Sequence, residues 1–143
     1  MNQEEWSKSV QWIGVVAGCV IEKDGKYLMV QEKQEKVYGL WNIPAGYVDK
    51  DEEVEHAAVR EAKEESGFVV ELDGLIDLYH DTTNEPVKHA YRAHIIGGEL
   101  KVQEDEILDA KWLTYEEIVR LNNEGKIRAR WIFDAITKAY QLI

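Results

Sequence analysis

The segment from Asp51 to Gly67 constrains the fold more than any other, because one face of the helix it predicts begins apolar and continues acidic. Asp51 can cap a helix whose first turn holds Glu52 and Glu53. Gly67 is placed to end it in the left-handed conformation, so the helix is expected over about Glu52–Ser66. On a wheel of about 100° per residue with Glu61 at the origin, Val54, Ala57 and Ala58 fall within about 60° of it, while Glu55, His56 and Lys63 fall on the far side. Glu61, Glu64 and Glu65 then extend that same stripe, and Val59 alone points away from the pattern. Like charges four apart destabilise a helix, and carboxylates drawn toward an interior are costly unless something positive meets them. A hard divalent cation such as Mg²⁺, which takes oxygen ligands and keeps waters, is the economical partner. On composition alone, a solvated acidic helix face is an equally good account.

The remaining segments alternate strand and helix patterns. Ile13–Ile21 is almost entirely small or β-branched apolar residues, and Asp24-Gly25 offers a tight turn before Tyr27–Val30, which together read as a hairpin. Leu40–Pro44 reads as a short strand, and Gly46–Asp51 as a loop. Phe68–Leu72, Gly74–His80 and Val87–Ile96 read as strands, with a loop over Asp81–Pro86 and Gly97-Gly98 breaking the third. Ala110–Leu113 reads as a last strand, Thr114 with Glu117 as a capping box opening a helix through Leu121 that Gly125 ends, and Ala129–Leu142 as a final amphipathic helix. This order fits an α/β sandwich with helices on both faces of a mixed sheet, built as a single domain over residues 1–143.

Several function classes are disfavoured. No apolar run approaches the roughly 18 residues of a membrane span, and Met1–Ser9 is polar, so a soluble, cytoplasmic protein without membrane partners is expected. Cys19 is the one cysteine, reads as a buried small hydrophobe and suggests no redox chemistry. A net charge of −11 argues against a nucleic-acid polymer as partner. It leaves room for a small polyphosphate ligand, provided a divalent cation mediates the contact and a few basic residues sit locally in the pocket. Asp49-Lys50-Asp51 resembles the start of an EF-hand loop, but Val54 and Arg60 stand where that loop needs glycine and glutamate, and no P-loop exists.

Gly46, five residues, Glu52, seven residues and then Arg60-Glu61-Ala62-Lys63-Glu64-Glu65-Ser66-Gly67-Phe68 resemble the signature box of the Nudix hydrolase family. Ala62 and Phe68 are respectively smaller and larger than the usual aliphatic residue there, and Asp49-Lys50-Asp51 replaces the commoner acidic-x-glycine stretch. Pro44-Ala45 ahead of the box and Trp112–Ile118 behind it agree, so the resemblance covers about Ile13–Leu121. It implies a Nudix fold, an α/β/α sandwich with a loop-helix-loop metal site, hydrolysing the diphosphate bond of a nucleoside-diphosphate-type small molecule with Mg²⁺, for which Mn²⁺ can substitute. Carried over by position, Glu61, Glu64, Glu65 and the Gly46 carbonyl would bind the metal, and Glu52 and Arg60 would orient the carboxylates. A further carboxylate is expected ahead of Trp112; Glu106 is preferred to Glu104 and Asp105. The catalytic base would be Glu61 or Glu65, with Glu106 as the rival.

For the substrate, Arg92 is the best single candidate to hold a phosphate, level with a reading as an ordinary surface arginine; Lys88, His89 and His80 are weaker. Tyr38 and Tyr47 can stack on a base or pack, and core packing is the better reading for Trp41. Leu40–Gly46 and the short length look like a bacterial subgroup of unselective nucleoside di- and triphosphatases that also accept a pyrimidine pyrophosphate. The alternative is a non-catalytic, nucleotide-sensing or protein-binding module, which would be expected to lose a box glutamate. The final helix either closes the core or supports a homodimer.

Overall fold

The computed structural model describes residues 1–142; Ile143, the last residue of the expected domain, lies outside the described residues. The elements run α1 (Gln3–Ser9), β1 (Val15–Lys23), β2 (Lys26–Glu32), β3 (Trp41–Asn42), β4 (Ala45–Tyr47), α2 (Val54–Ser66), β5 (Phe68–Tyr79), β6 (Val87–Gly98), β7 (Ile107–Thr114), α3 (Tyr115–Asn123) and α4 (Arg130–Gln141). The sheet is ordered β3-β2-β1-β6-β5, with β4 also paired to β1 and β7 to β2. It is mixed: β1 and β6 run parallel, and the other pairs are antiparallel.

β1 reads as an almost unbroken apolar run because it is covered on both faces. Ala17, Cys19 and Ile21 pack with Ala57, Ala58 and Ala62 of α2 on one side. Val20 joins Trp131, Ile132 and Ile136 of α4 and Ile118 of α3 on the other. The result is the α/β/α sandwich expected from the order of elements. Asp24 and Gly25 both take positive φ, 52° and 77°, as a two-residue hairpin turn requires. Among the described residues no helix is long and apolar enough to cross a membrane.

Three local expectations are corrected, and one element is new. Asp51 does not cap α2; it sits two residues ahead of the cap position with φ 64°, a conformation its short polar side chain tolerates, and Glu53 caps without a side-chain bond. Gly46 lies in β4 rather than at the start of a loop. The break expected near Gly74 is a register shift inside one continuous strand, β5. A short helix, α1, forms in the polar N-terminal segment, with Asn2 capping it by accepting from the Glu5 N–H.

Candidate active site

The box residues meet where α2 crosses β4. Gly46 pairs with Ala17 of β1, and the Glu61 side chain lies directly against its Cα; a Cβ at Gly46 would overlap the Glu61 carboxylate. The missing side chain is therefore what lets helix and strand approach at this point. Glu65, one helical turn further on, is 5% exposed, and its Oε2 accepts the Ala45 N–H at 2.8 Å. Exposure rises from Glu65 through Glu61, at 15%, to Glu64, at 44%. The acidic stripe thus starts in the interior and ends at the surface.

Arg60 ties this face together. Its Nε and Nη2 donate to the two oxygens of Glu52 at 2.7 and 2.9 Å, its Nη1 donates to Glu61 at 3.0 Å and Glu64 at 3.1 Å, and Nη2 also reaches the Tyr47 carbonyl at 3.1 Å. Glu52 additionally accepts the Asp49 N–H and faces His56 Nδ1 at 2.8 Å. The hydrogen bonds from Arg60 hold the Glu52 carboxyl down at about 2, and reciprocally raise Arg60. No cation among the described residues touches Glu65. Its burial, followed by the charge of Glu61, pushes its pKa well above the usual carboxylate range, and burial also raises Glu61.

The donor set fits a hard divalent cation, since it offers only oxygen ligands, and buried like charges held side by side call for a positive centre. It is not a ready-made cage: no three acidic, histidine or cysteine side chains among the described residues converge as one. Arg60 draws Glu64 outward, and Glu106 approaches from a different part of the chain.

A cleft of about 490 Å³ opens beside these carboxylates, and Gly46, Glu65, Tyr47 and Glu106 line it. The loop carrying Glu106 is fixed to β2, with the Lys33 N–H donating to the Glu106 carbonyl at 3.0 Å and Lys33 Nζ to the Glu104 carbonyl at 2.8 Å. Neither Glu104 nor Asp105 lines the cleft. Arg92 stands on the same face of β6 as Lys88 but farther along the strand, and of the two it is Lys88 that lines the cleft, where it pairs with Glu85 at 3.0 Å. Tyr38 is 62% exposed and outside the cleft, so among the tyrosines only Tyr47 is placed at its wall. Trp41 is buried in the core beneath α4, His80 is exposed, and His89 lies on the opposite face of β6 beside Tyr91. Burial holds the Cys19 thiol up at about 12, as an inert core residue.

Sequence reasoning missed Glu32, Asn42, Arg128 and Arg130, all of which line the cleft. The one signal available for the arginines was the dense basic spacing Lys126, Arg128, Arg130 in an acidic chain. Glu32 carried none, standing in the strand end Gln31-Glu32-Lys33 among other charges.

An α/β/α sandwich whose box helix presses its carboxylates onto a glycine strand defines a class, and the comparison with known families agrees: the model of the NUDIX domain matches residues 12–135, and the chain belongs to the Nudix family. Its sequence is 37% identical over 95 residues to an ADP-ribose pyrophosphatase of Methanocaldococcus jannaschii, covering 64% of this chain and 56% of that protein. A MutT-like protein of Streptomyces ambofaciens is 34% identical over 103 residues, covering 72% and 64% respectively. The chain thus aligns with less than two thirds of the length of either curated relative. A Nudix hydrolase structure from Nitrosomonas europaea superposes with a TM-score of 0.81 at 25% identity, covering 92% of this chain and 72% of that one.

Proposed function

We propose that this chain is a cytoplasmic Nudix hydrolase that cleaves, with Mg²⁺, a phosphoanhydride bond in a nucleoside-diphosphate-type small molecule. The observation that carries this reading is the buried Glu65, which meets no cation among the described residues, beside Glu61 against the Gly46 strand, with Glu65 lining a cleft. Glu61, Glu64, Glu65, Glu106 and the Gly46 carbonyl would hold the metal, and Mn²⁺ would substitute for Mg²⁺. When bound, the metal would offset phosphate charge and lower the pKa of a water.

The chain's own residues supply the rest. Arg60, itself fixed by Glu52, holds Glu61 and Glu64 in register. Glu61 or Glu65, with Glu106 as the rival, takes the proton as a water oxygen attacks phosphorus and the bridging P–O bond breaks, the leaving phosphate departing as an anion. Lys88, Arg128 and Arg130 on the cleft wall offset phosphate charge, which meets the local-cation condition an acidic protein must satisfy. Tyr47 stands at the wall to take a base against its ring.

The test is release of phosphate, pyrophosphate or nucleoside monophosphate from ADP-ribose, nucleoside di- and triphosphates and a pyrimidine pyrophosphate, with Mg²⁺, with chelator, and in Glu65→Gln. ADP-ribose belongs on the panel because a relative bears that substrate in its name. Metal-dependent release that disappears in the variant is expected. A folded, Mg²⁺-binding protein that releases nothing from any of these compounds overturns the reading.

A further inference from the structure

The cleft is also lined by a polar pair to which the hydrolytic reading above assigns no role. Glu32, at the end of β2, is 8% exposed, and Asn42, on β3, is 7% exposed. Asn42 Oδ1 accepts the Ile43 N–H at 2.8 Å, which fixes the amide orientation and leaves Nδ2 to donate to Glu32 Oε1 at 2.9 Å. The Glu32 backbone is pinned as well, its N–H donating to the Leu40 carbonyl and its carbonyl accepting the Gly39 N–H, each at 2.8 Å. The carboxylate is thus held rigidly by groups that cannot move without breaking the short β3 strand.

Its hydrogen-bonding capacity is largely unspent. A carboxylate has about four lone-pair sites, and among the described residues Glu32 accepts one side-chain hydrogen bond and faces no Lys, Arg or His within ion-pair distance. Its second oxygen, Oε2, has no partner among them. Both residues line the same cleft as Gly46, Glu65 and the Lys88, Arg128 and Arg130 wall. The cations answer the anionic part of a ligand. A buried, pre-oriented carboxylate answers its opposite: a group with donors.

We infer that Glu32, fixed by Asn42, is a specificity-determining residue that accepts hydrogen bonds from two adjacent donors on the nucleoside part of the substrate. This rests on the hydrolase reading above and adds to it the chemistry of the recognised group. Two parts of a nucleoside present adjacent donors that suit one carboxylate: the ribose 2′,3′-diol, and the N1–H with the N2 amino group of guanine. Adenine, uracil and cytosine edges lack such a pair. A site built around a hydrogen bond discriminates strongly against an analogue lacking it, because the buried acceptor is then left unpaired.

The experiment measures binding rather than turnover, by calorimetry with Mg²⁺ and the α,β-methylene diphosphates of adenosine, 2′,3′-dideoxyadenosine, guanosine and inosine. Wild-type protein is expected to prefer the donor-bearing member of one pair by about 10- to 100-fold. Adenosine over dideoxyadenosine identifies the ribose diol as the group read, and guanosine over inosine the base edge. Glu32→Gln should bring that preference to within about threefold while leaving the Mg²⁺ midpoint unchanged, and Glu32→Ala guards against a compensating amide contact. Equal affinities in the wild type, absence of binding, or a preference that survives both substitutions would overturn the inference. So would a shifted Mg²⁺ midpoint with the preference intact, since Glu32 would then act on the metal. Hydrolysis is scored separately on the panel above: a preference without release from any of its compounds removes the hydrolase reading and leaves Glu32 as the specificity residue of a nucleotide-binding site.

Discussion

The three atoms that a methyl group added at Gly46 would meet first all belong to the end of the Glu61 side chain. Gly46→Ala should therefore cost less than about 1 kcal/mol of stability, because a side-chain terminus can swing away. Moving that carboxylate by about 1 Å should lower metal-dependent turnover on the order of 100-fold. Denaturant unfolding and steady-state kinetics on one preparation test the split; equal losses in both would show that Gly46 serves packing alone. Glu65→Gln, which keeps the shape of the buried side chain, should lower kcat by about 10²- to 10⁴-fold as a lost base or ligand, with the fold intact by circular dichroism. At this scale the sequence was informative where chemistry sits on one helix, since i, i+3 and i+4 spacing alone brings Glu61, Glu64 and Glu65 to one side. It was silent for Glu32 and offered only a basic spacing for Arg128 and Arg130, because the cleft draws them from two stretches far apart in the chain. Strand parity puts Lys88 and Arg92 on one face, but nothing in the sequence says how far along β6 the cleft extends.

At the scale of elements, α2 owes its termination to one residue. Gly67 has φ 85°, donates its N–H to the Lys63 carbonyl, and would carry a Cβ into the Glu99 backbone oxygen. Gly67→Ala should destabilise by about 1–2 kcal/mol from the left-handed conformation alone, and by more because a backbone atom has to move. α3 depends on its start instead: Thr114 accepts the Glu117 N–H and Glu117 accepts the Thr114 N–H, so Thr114→Ala should cost about 1 kcal/mol. Urea titrations rank the two, and a Gly67 variant milder than the Thr114 variant would contradict the steric reading. Both ends were visible in sequence because each depends on a residue type with a local reason to be there. The opening of α2 was not. Asp51 has the composition of a cap, yet Arg60 recruits its neighbour Glu52 from eight residues downstream, and the chain enters the helix two residues later.

For the molecule as a whole, the carboxylates set opposing pH responses. The folded pKa of Glu65 lies above the ordinary 4.5, so its contribution is fully present below that value and is lost as pH rises through the raised one. Glu52, held at about 2 by Arg60, contributes above 4.5 and loses that contribution as pH falls toward about 2. In chelator, Glu65→Gln should therefore gain in Tm over the wild type progressively as pH rises above the ordinary 4.5, and Mg²⁺ should close the gap by binding the native wild-type state. A difference that is flat with pH would show that Glu65 is not held protonated by its surroundings.

The parallel pairing of β1 with β6 carries a cost in time. On one edge of β1 Val15 pairs with Val87, with roughly half the chain between them, and such non-local contacts slow folding. During synthesis the first hairpin and the whole of α2 emerge while that edge of β1 still lacks its strand. A nascent chain halted before β6 would display an apolar strand with unpaired backbone groups, which invites pairing with other chains. The acidic helix, soluble and self-repelling, is what such an unfinished chain would present beside that edge.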